Sequence, residues 1–138
     1  MPLTKELTIE IEDGPGTLGK LCRALADQGV NIVALYAAPD QRRTYLHLIV
    51  DNPSQAETVL GKEGLAYTYT NVAQVGLPHR PGELANAASC LGEAKINVKS
   101  VYAGIDPSTN SPLIFFGCLD AAAAARILDQ AVSRTART

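Results

Sequence analysis

A short signature occurs twice in this chain, 66 residues apart. The first copy reads Asp13-Gly14-Pro15-Gly16-Thr17-Leu18 and continues to Val30-Asn31-Ile32 and Tyr36-Ala37. The second reads His79-Arg80-Pro81-Gly82-Glu83-Leu84 and continues to Ile96-Asn97-Val98 and Tyr102-Ala103. Leu25 and Leu91 obey the same offset. A constant offset through a loop, a helix and a strand marks duplication of one folding unit. The chain is therefore read as two similar halves, residues 1–70 and 71–138. Each is small for independent stability, so the halves are expected to share an interface.

Composition narrows the function classes. Apolar residues make up 46% of the 138, enough for packed cores and too many for disorder. The net charge of -2 and the pI near 5.6 argue against a nucleic-acid surface. No apolar run reads as a membrane span or a signal-peptide core. Cys22, Cys90 and Cys118 are widely spaced and form no CxxC pair. They read as reduced thiols, and the expected location is the cytoplasm.

Leu7, Ile9 and Ile11 alternate with polar residues, as in a half-buried strand. After the Gly14-Pro15-Gly16 turn, Leu18, Leu21, Cys22 and Leu25 fall on one helical face, and Gly29 stands where a helix C-cap glycine belongs. Strands follow over residues 30–38 and 44–50, joined by a polar hairpin at residues 39–43. Asn52 and Pro53 open a second helix carrying Ala56, Val59 and Leu60 inward. Residues 65–70 form a fourth strand, with Tyr67 and Tyr69 packed on one face. This β-α-β-β-α-β order is the ferredoxin-like pattern.

The second half restarts near Val72. Its helix is expected to carry Leu84, Ala87, Ala88 and Leu91 inward. A strand follows over residues 96–104, then a longer hairpin, a strand over 113–119 and an alanine-rich helix over 121–132 capped by Asp120. Residues 133–138 are polar and basic, so the last strand is short or missing. That would leave the strand of residues 72–77 with an unpaired edge unless another element covers it. The fold class is α+β: two βαββαβ units with antiparallel sheets and helices on one side.

The Pro-Gly turn lies between a strand and a helix N-terminus. Gly16 and Gly82 let the backbone approach a ligand. The first-turn amides are free donors at the positive end of the helix dipole, where a carboxylate fits. Asn31 and Asn97 precede the next strand and offer both a donor and an acceptor. In each copy the glycine turn, the free amides and the Asn together suit the role of an amino-acid clamp. The bland alternative is a turn and an Asn that serve only local backbone.

The motif Asp13-Gly14-Pro15-Gly16-Thr17-Leu18 with Asn31-Ile32, repeated as His79-Arg80-Pro81-Gly82-Glu83-Leu84 with Asn97-Val98, resembles a tandem ACT-domain protein, a family of amino-acid-binding regulatory modules. The resemblance implies effector sites at seams between paired units. Asp13 would take the ligand ammonium, and the backbone of Gly14, Gly16, Thr17 and Leu18 its carboxylate. Asn31 would serve a site across the seam. In the second half His79, Arg80, Gly82, Glu83, Leu84 and Asn97 fill these places. His79 departs from the family's Asn or Asp, so one, both or neither site is left open.

The leading reading is a stand-alone, non-catalytic amino-acid sensor without cofactor or metal, acting as a homodimer or on a regulated enzyme. The alternative is a protein-interaction module with degenerate sites. No paired carboxylates or Ser-His or Cys-His arrangement supports an enzyme. His47 stands on the face opposite Leu46 and Leu48 and reads as a surface or partly satisfied residue. Membrane and nucleic-acid partners are not expected.

Overall fold

The computed structural model of the chain describes the backbone of residues 3–136 and the side chains of residues 3–132. The described chain is an α+β fold of six strands and four helices: β1 Leu3–Glu12, α1 Thr17–Asp27, β2 Ile32–Asp40, β3 Arg43–Val50, α2 Pro53–Lys62, β4 Tyr67–Gly76, α3 Glu83–Glu93, β5 Ser100–Ile105, β6 Pro112–Gly117 and α4 Ala121–Ala136. It divides into an N-terminal unit, Lys5–Thr70, and a C-terminal unit from Asn71 onward that also takes in Leu3 and Thr4.

In the N-terminal unit β3 pairs antiparallel with β1 and with β2, and Leu48 faces Leu7 on one side and Leu35 on the other. The Glu10 amide donates to the Ala66 carbonyl at 3.2 Å, so the chain returns along the far side of β1 after α2. Period-two alternation puts Leu7, Ile9 and Ile11 with Leu46, Leu48 and Val50. Leu21 and Leu25 of α1 and Ala56, Val59 and Leu60 of α2 close this core. Burying each large aliphatic side chain contributes about 1.5–3 kcal/mol.

The helix ends follow from local chemistry. Asn52 caps α2 by accepting the Gln55 amide at 3.2 Å, and Pro53 opens the first turn. Gly29 ends α1 in the left-handed region, with φ 73°. Its amide donates to the Ala26 carbonyl, and the Val30 amide donates to the Leu25 carbonyl.

The C-terminal unit repeats this plan. Helix α3 lies 66 residues beyond α1 at both ends. Phe116 of β6 faces Ala73 of β4 and Val101 of β5, as Leu48 faces Leu7 and Leu35. The offset is thus 66 before the hairpin and 68 beyond it. The two extra residues sit between β5 and β6, whereas Gln41 and Arg42 alone join β2 to β3. Ala73, Val75, Ile114 and Phe116 pack with Ala87, Leu91 and Leu128 in the second core.

Several expectations are corrected. Leu18 and Leu84 stay 42% and 46% exposed. Each helix leaves its exposed loop at these residues, and its inward face begins a turn later, at Leu21 and Ala87. Ala88 is also exposed, one position off the Ala87–Leu91 line. Residues 65–70 and 72–77 do not form separate strands. Tyr67–Gly76 is one strand, because no Gly or Pro interrupts the β-branched run through Thr70 and Val72. Tyr67 and Tyr69 are exposed rather than packed, and the Lys5 ammonium stands 4.0 Å from the centre of the Tyr69 ring. Helix α4 runs to Ala136 instead of stopping at Val132, since no Gly or Pro follows. The last two residues of the polar tail, 137 and 138, lie outside the described residues.

Candidate functional site

The first Pro-Gly loop connects β1 to α1. Gly16 occupies the N-cap position of α1 at φ 87°, in the left-handed region that favours glycine, and no side chain caps the helix. The Thr17 hydroxyl lies 3.0 Å from the carbonyls of both Glu12 and Gly14 and fastens the loop to the end of β1. Asp13, Gly14, Pro15, Gly16 and Leu18 are exposed. A Cβ added at Gly14 or Gly16 would meet nothing within 4 Å, so packing does not demand these glycines.

Asn31 is exposed just before β2, and Ile32 begins the strand half-buried. The Asn31 amide donates to Asp51 Oδ1 at 2.9 Å, and the Asp51 amide donates back to the Asn31 carbonyl at 3.1 Å. This exchange fixes the Asn31 backbone. No hydrogen bond joins Asn31 to the loop among the described residues.

The second loop is built differently. Gly82 repeats the left-handed N-cap, with φ 93°, and α3 also lacks a side-chain cap. Glu83 replaces Thr17, and Arg80 Nε donates to Glu83 Oε1 at 2.6 Å. The guanidinium is thus held within the loop. His79, Pro81 and Leu84 are exposed. Asn97 is exposed too, while Val98 packs against the second core. Leu119, 88% exposed, stands where the N-terminal unit has Asp51, and among the described residues no exchange like that of Asn31 holds Asn97.

The sequence left one feature unread and, for another, gave only the face and partial satisfaction of His47. The first is a groove of about 540 Å³ in the C-terminal unit, reached by Arg80 and Glu83. Its signal was Ala87 at the place of Leu21. The second is a polar group on the sheet face away from the N-terminal core. His47 Nδ1 lies 3.2 Å from Thr8 Oγ1 and 3.4 Å from Glu6 Oε2, and its ring stacks on Tyr36 at 4.2 Å. Glu6 is only 5% exposed. In the C-terminal unit Tyr102 stacks on Phe115, and Val72 stands in the place of Glu6.

Among the described residues no three His, Cys, Asp or Glu side chains gather to hold a metal. No helix there is long and apolar enough to cross a membrane. The three cysteines form no disulfide, and burial pushes the Cys118 thiol above its ordinary value.

The N-terminal unit is a βαββα module with a glycine-initiated, uncapped helix at its first strand-to-helix turn. Residues 5–62 match the ACT domain family model. The fold recurs in a Bacteroides thetaiotaomicron protein at TM-score 0.82 and 23% identity, covering 93% of this chain and 88% of that one. It recurs in the regulatory subunit of aspartate kinase from Thermus thermophilus at TM-score 0.60 and 21% identity, covering 95% and 97%. The corresponding Thermus flavus subunit gives TM-score 0.54 and 18% identity, covering 96% and 97%. No curated relative matches the sequence.

Proposed function

We propose that this chain is a regulatory amino-acid-binding protein made of two ACT-like copies, without catalytic activity of its own. One observation carries the reading. Helices α2 and α4 are capped by Asn52 and Asp120, but α1 and α3 both start from a left-handed glycine with no side-chain cap. Uncapped first-turn amides suit a carboxylate, and the open space over Gly14 and Gly16 admits one.

In the first loop the carboxylate binds the amides at Thr17 and Leu18 and Asp13 takes the ammonium, while Asn31 serves the ligand of a paired unit. The Thr17 hydroxyl and the Asn31–Asp51 exchange hold these groups in place before the ligand arrives, which lowers the cost of binding. The aspartate kinase regulatory subunits share the fold, which is consistent with a role in controlling an enzyme through a second copy or a separate partner in the cytoplasm.

Calorimetric titration with the common amino acids tests the proposal. At least one binds at or below millimolar concentration, and Asn31→Ala lowers its affinity about tenfold with an unchanged melting temperature. Failure of every common amino acid to bind would overturn the reading. Gly16→Val is the less clean probe, because φ 87° strains any side chain there.

A further inference from the structure

Corresponding spaces in the two units are filled differently. In the N-terminal unit a hollow of about 350 Å³ is bounded by Ile11, Thr17, Leu21 and Leu65. Leu65 enters it because Gly64, at φ 68°, ends the turn after α2 and swings the chain back toward β4. Its side chain packs against the core. In the C-terminal unit the matching boundary is Leu77, Glu83 and Ala87, and the space grows to about 540 Å³. Two changes enlarge it. Ala87 replaces Leu21, and α4 continues as helix where the N-terminal chain turns back, lining the space with Ala131 and Val132.

The groove has an apolar floor of Val75, Leu77 and Leu128 and a charged mouth. At that mouth stands the Arg80–Glu83 pair, with Arg80 mostly exposed and Glu83 largely covered. A cation and an anion 2.6 Å apart beside an apolar hollow complement a zwitterion bearing an aliphatic side chain. The N-terminal unit supplies the template for that side chain, since a leucine occupies the equivalent space.

We infer that the groove between α3 and α4 binds a free amino acid with a branched aliphatic side chain, its carboxylate on Arg80 and its ammonium on Glu83. This rests on the amino-acid-binding reading and adds to it a second location and a ligand class. The ligand's head opens the Arg80–Glu83 pair and replaces both partners. Its side chain takes the room left by Leu21 and Leu65. A volume of this size lies within the usual range for small-ligand pockets.

Cys90 lines the groove and reports on it in the unaltered full-length protein. Saturating leucine slows alkylation of Cys90, read by peptide mass, several-fold more than that of Cys22. In calorimetry leucine and isoleucine bind, and glycine and alanine bind at least about tenfold more weakly. 4-Methylpentanoate and isoamylamine, each lacking half of the zwitterion, are also weaker. Ala87→Leu restores the residue type of the other unit and abolishes leucine binding while the melting temperature is kept, and Arg80→Gln weakens leucine binding. Unchanged Cys90 reactivity at saturating leucine overturns the inference, as does equal binding of leucine and glycine. The Cys90 result decides even if the variants fold poorly. Leucine binding that survives Ala87→Leu but is lost in Asn31→Ala overturns the groove and leaves the first-loop reading standing. If no amino acid binds at all, both fall.

Discussion

Gly29 and Lys95 hold the same backbone place 66 residues apart, with φ of 73° and 60°. Both end a helix through the same pair of bonds, and the Lys95 and Ile96 amides donate to the Gly92 and Leu91 carbonyls. Only one of the two is a glycine. A left-handed conformation costs an L-residue about 1–2 kcal/mol. Lys95→Gly is therefore expected to raise stability by about 0.5–1 kcal/mol, after allowing for the freedom glycine gains in the unfolded chain. Gly29→Ala should lower it by about 1 kcal/mol. Urea unfolding midpoints check both, and a Lys95→Gly protein less stable than its parent would contradict the argument.

The Glu6–His47 pair supplies a second prediction. His47→Phe copies Phe115 but removes one hydrogen-bond partner of the buried Glu6, which should cost about 1–2 kcal/mol. Adding Glu6→Val, which copies Val72, should recover most of the loss, because an apolar pair of similar volume needs no polar partner. A double-mutant cycle by chemical unfolding measures the coupling, and strict additivity of the two changes would show that the pair is not coupled.

Burial sets the pH response of Cys118. Its folded thiol titrates above the ordinary 9.0 because desolvation disfavours the thiolate. As pH rises, the unfolded chain loses this proton first, so the contribution to stability is full below 9.0 and is lost as pH climbs through the folded value. Melting temperatures in this alkaline range should fall more steeply for the parent than for Cys118→Ala. Parallel curves would exclude the effect.

The helix caps yield a fourth expectation. Asn52→Ala and Asp120→Ala each remove an acceptor for a first-turn amide, at Gln55 and Ala123. Each should cost about 1 kcal/mol by thermal or urea unfolding. Neither change should alter amino-acid affinity, since neither cap belongs to a Pro-Gly loop. A large loss of affinity in either variant would tie those caps to the ligand site.

Local patterns were legible in the sequence where one neighbour settles the outcome. The alternation of Leu7, Ile9 and Ile11, the Asn52-Pro53 start of α2 and the stop at Gly29 all appear in the structure. Leu18 and Leu84 were misread because helical spacing gives the face of a residue and not whether its turn reaches the core. The Arg80–Glu83 pair and the Glu6–His47 contact stayed hidden for opposite reasons. In the first, a loop folds back over three residues; in the second, two strands bring together side chains 41 positions apart.

The two-residue difference between the hairpins has a consequence for how this protein can vary. Side chains alternate along β6, so a one-residue slip in its pairing with β5 would turn Ile114 and Phe116 out of the core. The tip lies outside that pairing. Its two extra residues lengthen the loop and leave Phe116 opposite Ala73 and Val101, as Leu48 is opposite Leu7 and Leu35. Residues added at the tip are thus taken up by the loop, at an entropic cost that grows slowly with length. Libraries that lengthen the β5–β6 tip should accordingly yield folded members at every added length, whereas a residue inserted within β6 should be tolerated only where a bulge absorbs it.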